Sequence, residues 1–198
     1  MGTGKARPAA RIVQALGDLA AALDRLPGPS MLIGGIAVIA HGVPRVTRDI
    51  DATIELTGNP IDLIIASMEA RGIEARIEDA ASFARECAVL LLRHRRSRVE
   101  IDLSLASLPF EHEALHAALV ATVGGVRLRL ARPEDLIIYK SAAWRPQDRQ
   151  DVERLVALWR PELDLSRVRR IVAEICDALD VPERVAELED ILSAAPKP

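Results

Sequence analysis

The sequence predicts an α/β protein of the α+β type, in which helices flank a small mixed sheet and a helical region follows. Three observations carry this prediction. Segments typical of strands alternate with segments of helical periodicity up to about residue 131. Every later segment has helical periodicity alone. With 198 residues, 49% of them hydrophobic, the chain is long enough to bury a substantial core.

The first predicted elements surround a pair of glycines. Apolar residues spaced by three and four predict an amphipathic helix over 8–26, which Pro27 stops. A short buried strand over 31–33 leads to a turn at Gly34-Gly35 and a short helical segment over 36–41. The further elements up to residue 131 are strand 50–56, a helix opened by Asn59-Pro60 and ending near residue 72, strand 73–77, a helical turn over 80–85, strands 87–92 and 99–105, helix 109–119, and strands 120–123 and 126–130.

Four helices are predicted after residue 132, over 133–144, 147–159, 165–179 and 182–194. The third carries Val168, Ile171, Val172 and Ile175 on one face, the pattern of a helix that packs against a core. We therefore expect two parts. A core over 1–131 precedes a C-terminal helical region over 132–198, which packs on it.

Composition excludes several classes of protein. The longest apolar stretch, residues 31–40, contains two glycines and is too short to span a bilayer. The basic N-terminus lacks the apolar block of a secretory signal. Cys87 and Cys176 are far apart and flanked by apolar residues, which favours buried thiols in a reducing compartment. These features predict a cytoplasmic protein.

The candidate chemistry lies in a set of carboxylates. Asp49 and Asp51 are two residues apart, so on an extended strand their side chains project from the same face. Paired carboxylates of this kind can chelate Mg²⁺ (or Mn²⁺), which prefers oxygen ligands. Should strand 99–105 pair beside strand 50–56, Asp102 would complete a three-carboxylate site for two metal ions. Glu100 shares its face, and Asp102 is favoured because it lies deeper in the strand.

Glycines and arginines around these acids fit a phosphate site. Gly34 and Gly35 have no Cβ, so a phosphate can approach their backbone closely. Arg45 and Arg48 can neutralise a triphosphate, because a guanidinium matches phosphate oxygens. Each feature also has a simpler explanation: an ordinary turn for the glycines, and ion pairing with Asp49 and Asp51 for the arginines. The ordered combination favours the functional interpretation.

The segments GG-x5-HG-x2-R-x-TRDID, VEIDLSL and ARPEDLIIYK give the chain a recognisable pattern over about residues 30–155. It resembles the nucleotidyltransferase superfamily that includes DNA polymerase beta, and is most similar to the AbiEii-type toxins and their bacterial relatives. The resemblance implies a mixed sheet with flanking helices, a divalent metal, and transfer of a nucleoside monophosphate from an NTP to an acceptor.

Position by position, the resemblance assigns Gly34 and Gly35 to the phosphate loop, Asp49 and Asp51 to the metal pair, and Asp102 to the third carboxylate. Many members have Gly-Ser in the loop. Here the second position is glycine, which leaves only backbone N–H groups to contact phosphate.

Two residues of the helical region complete the predicted nucleotide site. Lys140 stands beside apolar neighbours in a helix, and in the toxin-like relatives a lysine in this context points toward the nucleotide phosphates. The alternative is a lysine whose aliphatic stem covers apolar surface while its amine stays in water. Asp151 is expected either to pair with Lys140 or to face the site.

An arginine-rich segment over 93–98 separates two predicted strands. It could follow the backbone of a nucleic-acid acceptor, which would make binding sensitive to salt. The simpler explanation is a solvated hairpin tip, whose charges prevent strand addition. With 3% aromatic residues, the chain shows no stacking platform for single-stranded RNA.

The sequence therefore predicts a Mg²⁺-dependent nucleotidyltransferase that moves an NMP from an NTP to an acceptor hydroxyl. One candidate acceptor is tRNA, with the protein acting as the toxin of a toxin–antitoxin pair and an antitoxin protein as partner. The main alternative is a catalytically idle module that binds a nucleotide or a partner on the same fold. A small-molecule-modifying enzyme, such as an antibiotic nucleotidyltransferase, would use the same acids.

Overall fold

The computed structural model describes residues 8–56 and 60–194. Its internal contacts divide these residues into two units. The first holds the described residues up to Ile36 and from Val46 to Leu130, and the second those from Ala37 to Arg45 and from Ala131 onward. The expected core over 1–131 therefore differs in one respect, because residues 37–45 belong to the helical unit.

The first unit is built on a mixed sheet of seven strands among the described residues. Their order is β3-β4-β5-β2-β1-β7-β6. The strands are β1 (Ser30–Ile33), β2 (Asp49–Ile54), β3 (Ile73–Ala75), β4 (Val89–His94), β5 (Glu100–Leu105), β6 (Leu119–Val123) and β7 (Val126–Leu130). Helices α1 (Pro8–Leu23), α3 (Ile61–Glu69), α4 (Ala80–Cys87) and α5 (Pro109–Ala117) accompany them. Helix α2 (Gly34–Ala40) follows β1 directly.

Strand β2 lies at the centre of this sheet and determines where the acids meet. It pairs antiparallel with β1 and parallel with β5, as the placement of Asp102 required. Because side chains alternate along a strand, Ile50, Ala52 and Ile54 all point to one face, where they are fully buried. The matching apolar residues of β5 are buried on the same face. The mixed sheet predicted from the sequence is confirmed.

The apolar face of the sheet packs into a single hydrophobic cluster with α1 and α3. Leu16 and Leu19 of α1 and Ile64 and Met68 of α3 are essentially inaccessible to solvent. Their spacing of three and four residues places them on one side of each helix. The opposite face of the sheet is left to carry charged side chains.

The second unit is helical apart from the segment over 37–45. Its helices are α6 (Pro133–Ala143), α7 (Pro146–Trp159), α8 (Leu165–Ala178) and α9 (Glu183–Ala194), with a single 3₁₀ turn at Arg160–Glu162. The 37–45 segment is tied to them by hydrogen bonds. The His41 ring Nε2 lies 2.8 Å from the carbonyl oxygen of Ala131, and Trp159 Nε1 donates to the His41 carbonyl at 3.0 Å.

Three details of the sequence interpretation are wrong. Gly34-Gly35 is not a turn outside a helix but the first turn of α2. Strand β4 begins at Val89 rather than at residue 87, because α4 continues to Cys87 and Ala88 then adopts a left-handed conformation. Cys87 is consequently exposed, and of the two cysteines only Cys176 is buried as expected.

Asn59, expected to open α3 with Pro60, lies outside the described residues. Among the helices that are described, none has the length and apolar character needed to cross a membrane.

Candidate functional site

Four carboxylates share the face of the sheet opposite the hydrophobic cluster. Asp51 and Asp102 are register partners on the parallel strands β2 and β5, and Asp49 is the partner of Glu100. Partners on neighbouring strands lie about 4.8 Å apart along the sheet and project from the same face. The predicted convergence of Asp49, Asp51 and Asp102 on neighbouring strands is therefore what the sheet produces.

The two predicted metal-binding aspartates of β2 have different surroundings. Asp49 is exposed at the start of the strand, where the hydroxyl of Thr47 donates to its Oδ1 at 2.6 Å. Asp51 lies two residues further along the strand and is partly buried. Its carboxylate packs over Gly34, where a Cβ atom would stand 1.9 Å from Asp51 Oδ2.

That contact explains why residue 34 is glycine. A methyl group there would occupy the space that the Asp51 carboxylate fills, and the backbone has φ +60°, which side chains rarely adopt. Gly34 was expected to make room for a phosphate. In the structure the space above it belongs to a carboxylate, which a bound cation would in turn link to phosphate oxygens.

An arginine that sequence reasoning missed lies among these acids. Arg76 directly follows β3, and its backbone N–H donates to the carbonyl of Leu91 at 2.9 Å. Leu91 is the register partner of Asp102, so Arg76 falls in the same row across the sheet. Its guanidinium donates to Glu100 Oε2 at 2.8 Å and forms an ion pair with Asp102 Oδ1.

The surroundings of Asp102 act on its pKa in opposite directions. Burial raises the pKa of this carboxyl above its ordinary value, and the guanidinium of Arg76 opposes that rise. The negative charges of Asp49 and Glu100 raise the pKa further. Asp102 therefore experiences Asp49 electrostatically, which agrees with their placement on adjacent strands.

The chemistry of the three aspartates fits the divalent cation that the resemblance implies. Asp49, Asp51 and Asp102 offer only carboxylate oxygens, the ligands that Mg²⁺ and Mn²⁺ prefer. Within residues 8–56 and 60–194, however, no three acidic, histidine or cysteine side chains gather closely enough to hold an ion. Arg76 pairs with Asp102 instead. The residues fit a cation in type and strand register, and a cation bound there has to compete with Arg76.

The remaining predicted residues of the first unit are Gly35 and Arg48. Gly35 is buried in the first turn of α2. Arg48 is exposed immediately before Asp49, and its side chain has no ion pair or hydrogen bond with the described residues. Its guanidinium is therefore available to an anion at the start of β2.

The other predicted nucleotide-binding residues form a network in the second unit. Lys140 Nζ lies 2.7 Å from Asp148 Oδ1 and 3.1 Å from Asp151 Oδ2. Arg45 pairs with the same Asp151 oxygen. The side chains of Arg45, Lys140, Asp148 and Asp151 are each at most 11% exposed. Asp148 also accepts from the backbone N–H of Arg145 at 3.1 Å, which caps α7. Of the two expectations for Asp151, pairing with Lys140 is the one observed.

Comparison with known proteins identifies the family. A sequence profile described as "Nucleotidyltransferase of unknown function (DUF6036)" matches residues 10–191. The chain belongs to this family. No curated protein matches the sequence. The resemblance to nucleotidyltransferases is thereby confirmed, whereas the closer similarity to the AbiEii-type toxins stays a prediction.

Two solved structures share the fold of this DUF6036 protein. An antigenic nucleotidyltransferase-like protein from Paracoccidioides brasiliensis is 18% identical, with a TM-score of 0.54 and 94% of each chain covered. The antibiotic-resistance factor ANT(2'')-Ia is 20% identical, with a TM-score of 0.55, and the match covers 91% of this chain and 96% of that one. At such identities the likeness shows the nucleotidyltransferase fold and leaves the substrate open.

Proposed function

We propose that this DUF6036 protein transfers a nucleoside monophosphate from an NTP to an acceptor hydroxyl in the cytoplasm. The single observation that carries the proposal is the pairing of β2 with β5, which sets Asp51 and Asp102 side by side with Asp49 one step away. Family membership and the fold support a transferase of this class. In the proposed reaction the acceptor oxygen forms a bond to the α-phosphorus, the bond to the β-phosphate breaks, and pyrophosphate leaves.

The protein's own contribution is placement and charge. A divalent cation, Mg²⁺ or Mn²⁺, bound by Asp49, Asp51 and Asp102 would supply neutralisation of the phosphate oxygens. Arg48 is exposed and unpaired among the described residues, so it can bind phosphate oxygens in the bidentate geometry of a guanidinium. Gly34 and Gly35 offer the backbone N–H groups at the start of α2. Such fixed charges and donors are the main source of rate in phosphoryl transfer.

We also propose that Lys140, Arg45 and Asp151 contribute to nucleotide binding, although they already pair with one another. Lys140 already has two carboxylates within 3.1 Å, so a phosphate has to compete with both for its ammonium group. These ion pairs support a role in stabilising the helical unit at least as strongly as a role in binding.

The acceptor and the biological role belong to the proposal alone. A tRNA acceptor, with the protein as a toxin held in check by an antitoxin, is the finer hypothesis. An antibiotic acceptor is its small-molecule counterpart, supported only by the shared fold of ANT(2'')-Ia. The ion pair between Arg76 and Asp102 favours a different candidate, an idle module that binds nucleotide without transferring it.

Incubation with each α-labelled NTP, Mg²⁺ and either total RNA or an antibiotic panel tests the proposal. We expect labelled product, and we expect Asp51→Asn to reduce its formation by about a hundredfold or more, because a charge that stabilises the transition state is removed. Asp62→Asn, which neutralises an exposed acid of α3, is the matched control. Nucleotide binding without product from any acceptor would favour the idle module, and unchanged activity in Asp51→Asn would refute the assignment.

A further inference from the structure

Two clefts flank the turn between β4 and β5, and arginines line both. A cleft of about 590 Å³ contains Arg11, Arg48 and Arg98. A second, of about 420 Å³, contains Arg71, Arg95 and Arg96. We call these the arginine clefts. Their arginines come from α1, from the residue before β2, from the segment after α3 and from the turn itself, so the fold collects them from four separate parts of the chain.

The turn that separates the arginine clefts is held rigidly by buried polar contacts. His94 and Ser97 are almost inaccessible to solvent. The backbone N–H of Ser97 donates to His94 Nδ1 at 3.2 Å, so Nδ1 is an acceptor and the ring donates through Nε2 to Asp18 Oδ2 at 2.9 Å. Arg11 Nε donates to the Ser97 carbonyl at 2.7 Å. A turn fixed in this way needs no further ordering of its backbone on binding.

Most of the arginines in the two clefts have no acidic partner among the described residues. The two clefts contain six arginines against three acids. Of the arginines, Arg95 and Arg98 pair with Glu74, and Arg11 donates to the Ser97 carbonyl. The side chains of Arg48, Arg71 and Arg96 have no ion pair or hydrogen bond with any described residue. A chain with a net charge of −3 thus concentrates unpaired positive charge beside its candidate site.

We propose that the arginine clefts bind the phosphodiester backbone of a single-stranded nucleic acid acceptor. The inference rests on the proposed function, because Asp49 lines the same cleft as Arg48 and so connects this surface to the acids of β2. A small anion would fill one cleft, whereas a strand crosses the turn and uses both. A cationic small-molecule acceptor would be repelled. Because guanidinium groups contact phosphates and no phenylalanine, tyrosine or tryptophan lines either cleft, we expect binding to be independent of sequence.

Fluorescence anisotropy with labelled 20-nucleotide RNA and DNA strands of mixed sequence tests the inference on the full chain. For a single strand, the slope of log K against log salt is about −0.7 per phosphate contact. About five contacts therefore predict roughly a hundredfold weaker binding at 200 mM than at 50 mM salt. Tighter binding of RNA than of DNA would identify the 2′-hydroxyl as part of the recognition, and equal binding would leave the backbone as the ligand.

The test variant is Arg71→Gln/Arg96→Gln/Arg98→Gln, which avoids every residue proposed to bind the nucleotide or the cation. We expect its salt slope to fall by about two and its affinity at 50 mM salt to drop by at least about tenfold. The control, Arg149→Gln/Arg169→Gln/Arg170→Gln, removes the same charge from exposed positions of the second unit and should leave the curve unchanged. If the test variant does not fold, Arg96→Gln alone carries the test, because its side chain has no partner among the described residues.

Three results would overturn the inference: no strand binding by the natural chain at 50 mM salt, an unchanged salt slope in the test variant, or an equal loss in the control. Binding of a fluorescent NTP analogue, measured on the same proteins, separates this failure from failure of the proposed function. If the test variant keeps both its nucleotide affinity and its strand binding, only the role of the arginine clefts is refuted. Strand binding without nucleotide binding refutes the transferase.

Discussion

Arg76 should weaken the binding of a divalent cation, and its removal should strengthen it. The guanidinium forms an ion pair with Asp102, the carboxylate predicted to complete the cation site. The Arg76 side chain is 21% exposed and that of Asp102 is 45% exposed, so solvent screens the pair. A pair of this exposure contributes at most about 1 kcal/mol, and replacing Arg76 with glutamine should therefore tighten cation binding by up to about fivefold.

Titration with Mn²⁺, followed by the loss of the free-ion signal in electron paramagnetic resonance, measures this affinity without requiring turnover. Arg93→Gln is the matched control, because it removes an arginine from the same face of the sheet whose ion pair is with Glu74 rather than with Asp102. The double variant Arg76→Gln/Asp102→Asn should not show the increase in Mn²⁺ affinity. Equal or weaker Mn²⁺ binding by Arg76→Gln would refute the reasoning, since it would mean that Arg76 holds the site together instead of competing for it.

Three further predictions concern stability. Gly34→Ala should lower the free energy of unfolding by about 1–3 kcal/mol and weaken Mn²⁺ binding, because its methyl group displaces Asp51. Lys140→Met should lower the free energy of unfolding by about 3–5 kcal/mol in urea denaturation, since it leaves the buried Asp151 facing Asp148 without the lysine between them. Because the pKa of Asp102 is raised in the fold, its contribution to stability is full below its ordinary pKa of 3.8 and is lost as the pH rises through the folded value. Urea denaturation at stepped pH should therefore show the natural chain losing stability relative to Asp102→Asn over that window.

Matched variants separate these effects from general damage. Gly125→Ala adds a methyl group at a φ of +85° with no atom within 4 Å, so it reports the backbone cost alone and should leave Mn²⁺ binding unchanged. Arg170→Ala removes an exposed pair with Glu174 and should change stability by less than about 1 kcal/mol. A Lys140→Met protein that is fully stable but binds NTP poorly would instead support the phosphate role of the lysine. A stability difference for Asp102→Asn that stays constant with pH would contradict the raised pKa.

The elements of this fold could be predicted from the sequence because their signals are local. Alternation along 50–56 identified the strand and placed Asp49 and Asp51 on one face, since both properties depend only on the period of an extended chain. The pairing of that strand with β5 could not be deduced from the sequence and was only assumed in placing Asp102. The observed register confirms this pairing. The errors at Cys87 and Gly34 fall at element ends, where one residue in a left-handed conformation shifts a boundary.

The partners of the charged residues could not be predicted in the same way. Arg76 reaches Asp102 only because β3, β4 and β5 are neighbours in that order, which no local pattern encodes. The alternation of Glu74 and Arg76 on one face was a usable signal that this stretch carries charge opposite the core. Arg45 and Asp151 are 106 residues apart, and their pairing depends on the second unit taking in residues 37–45.

Because the second unit takes in residues 37–45, its sequence is discontinuous. A gene fragment starting at residue 131 would encode α6 to α9 but not His41 or Arg45. Asp151 would then lose its arginine, and the Trp159 indole would lose the carbonyl to which it donates. No contiguous stretch of the sequence therefore encodes the whole helical unit, and a version cut at residue 131 should unfold more readily than the same helices do in the full chain.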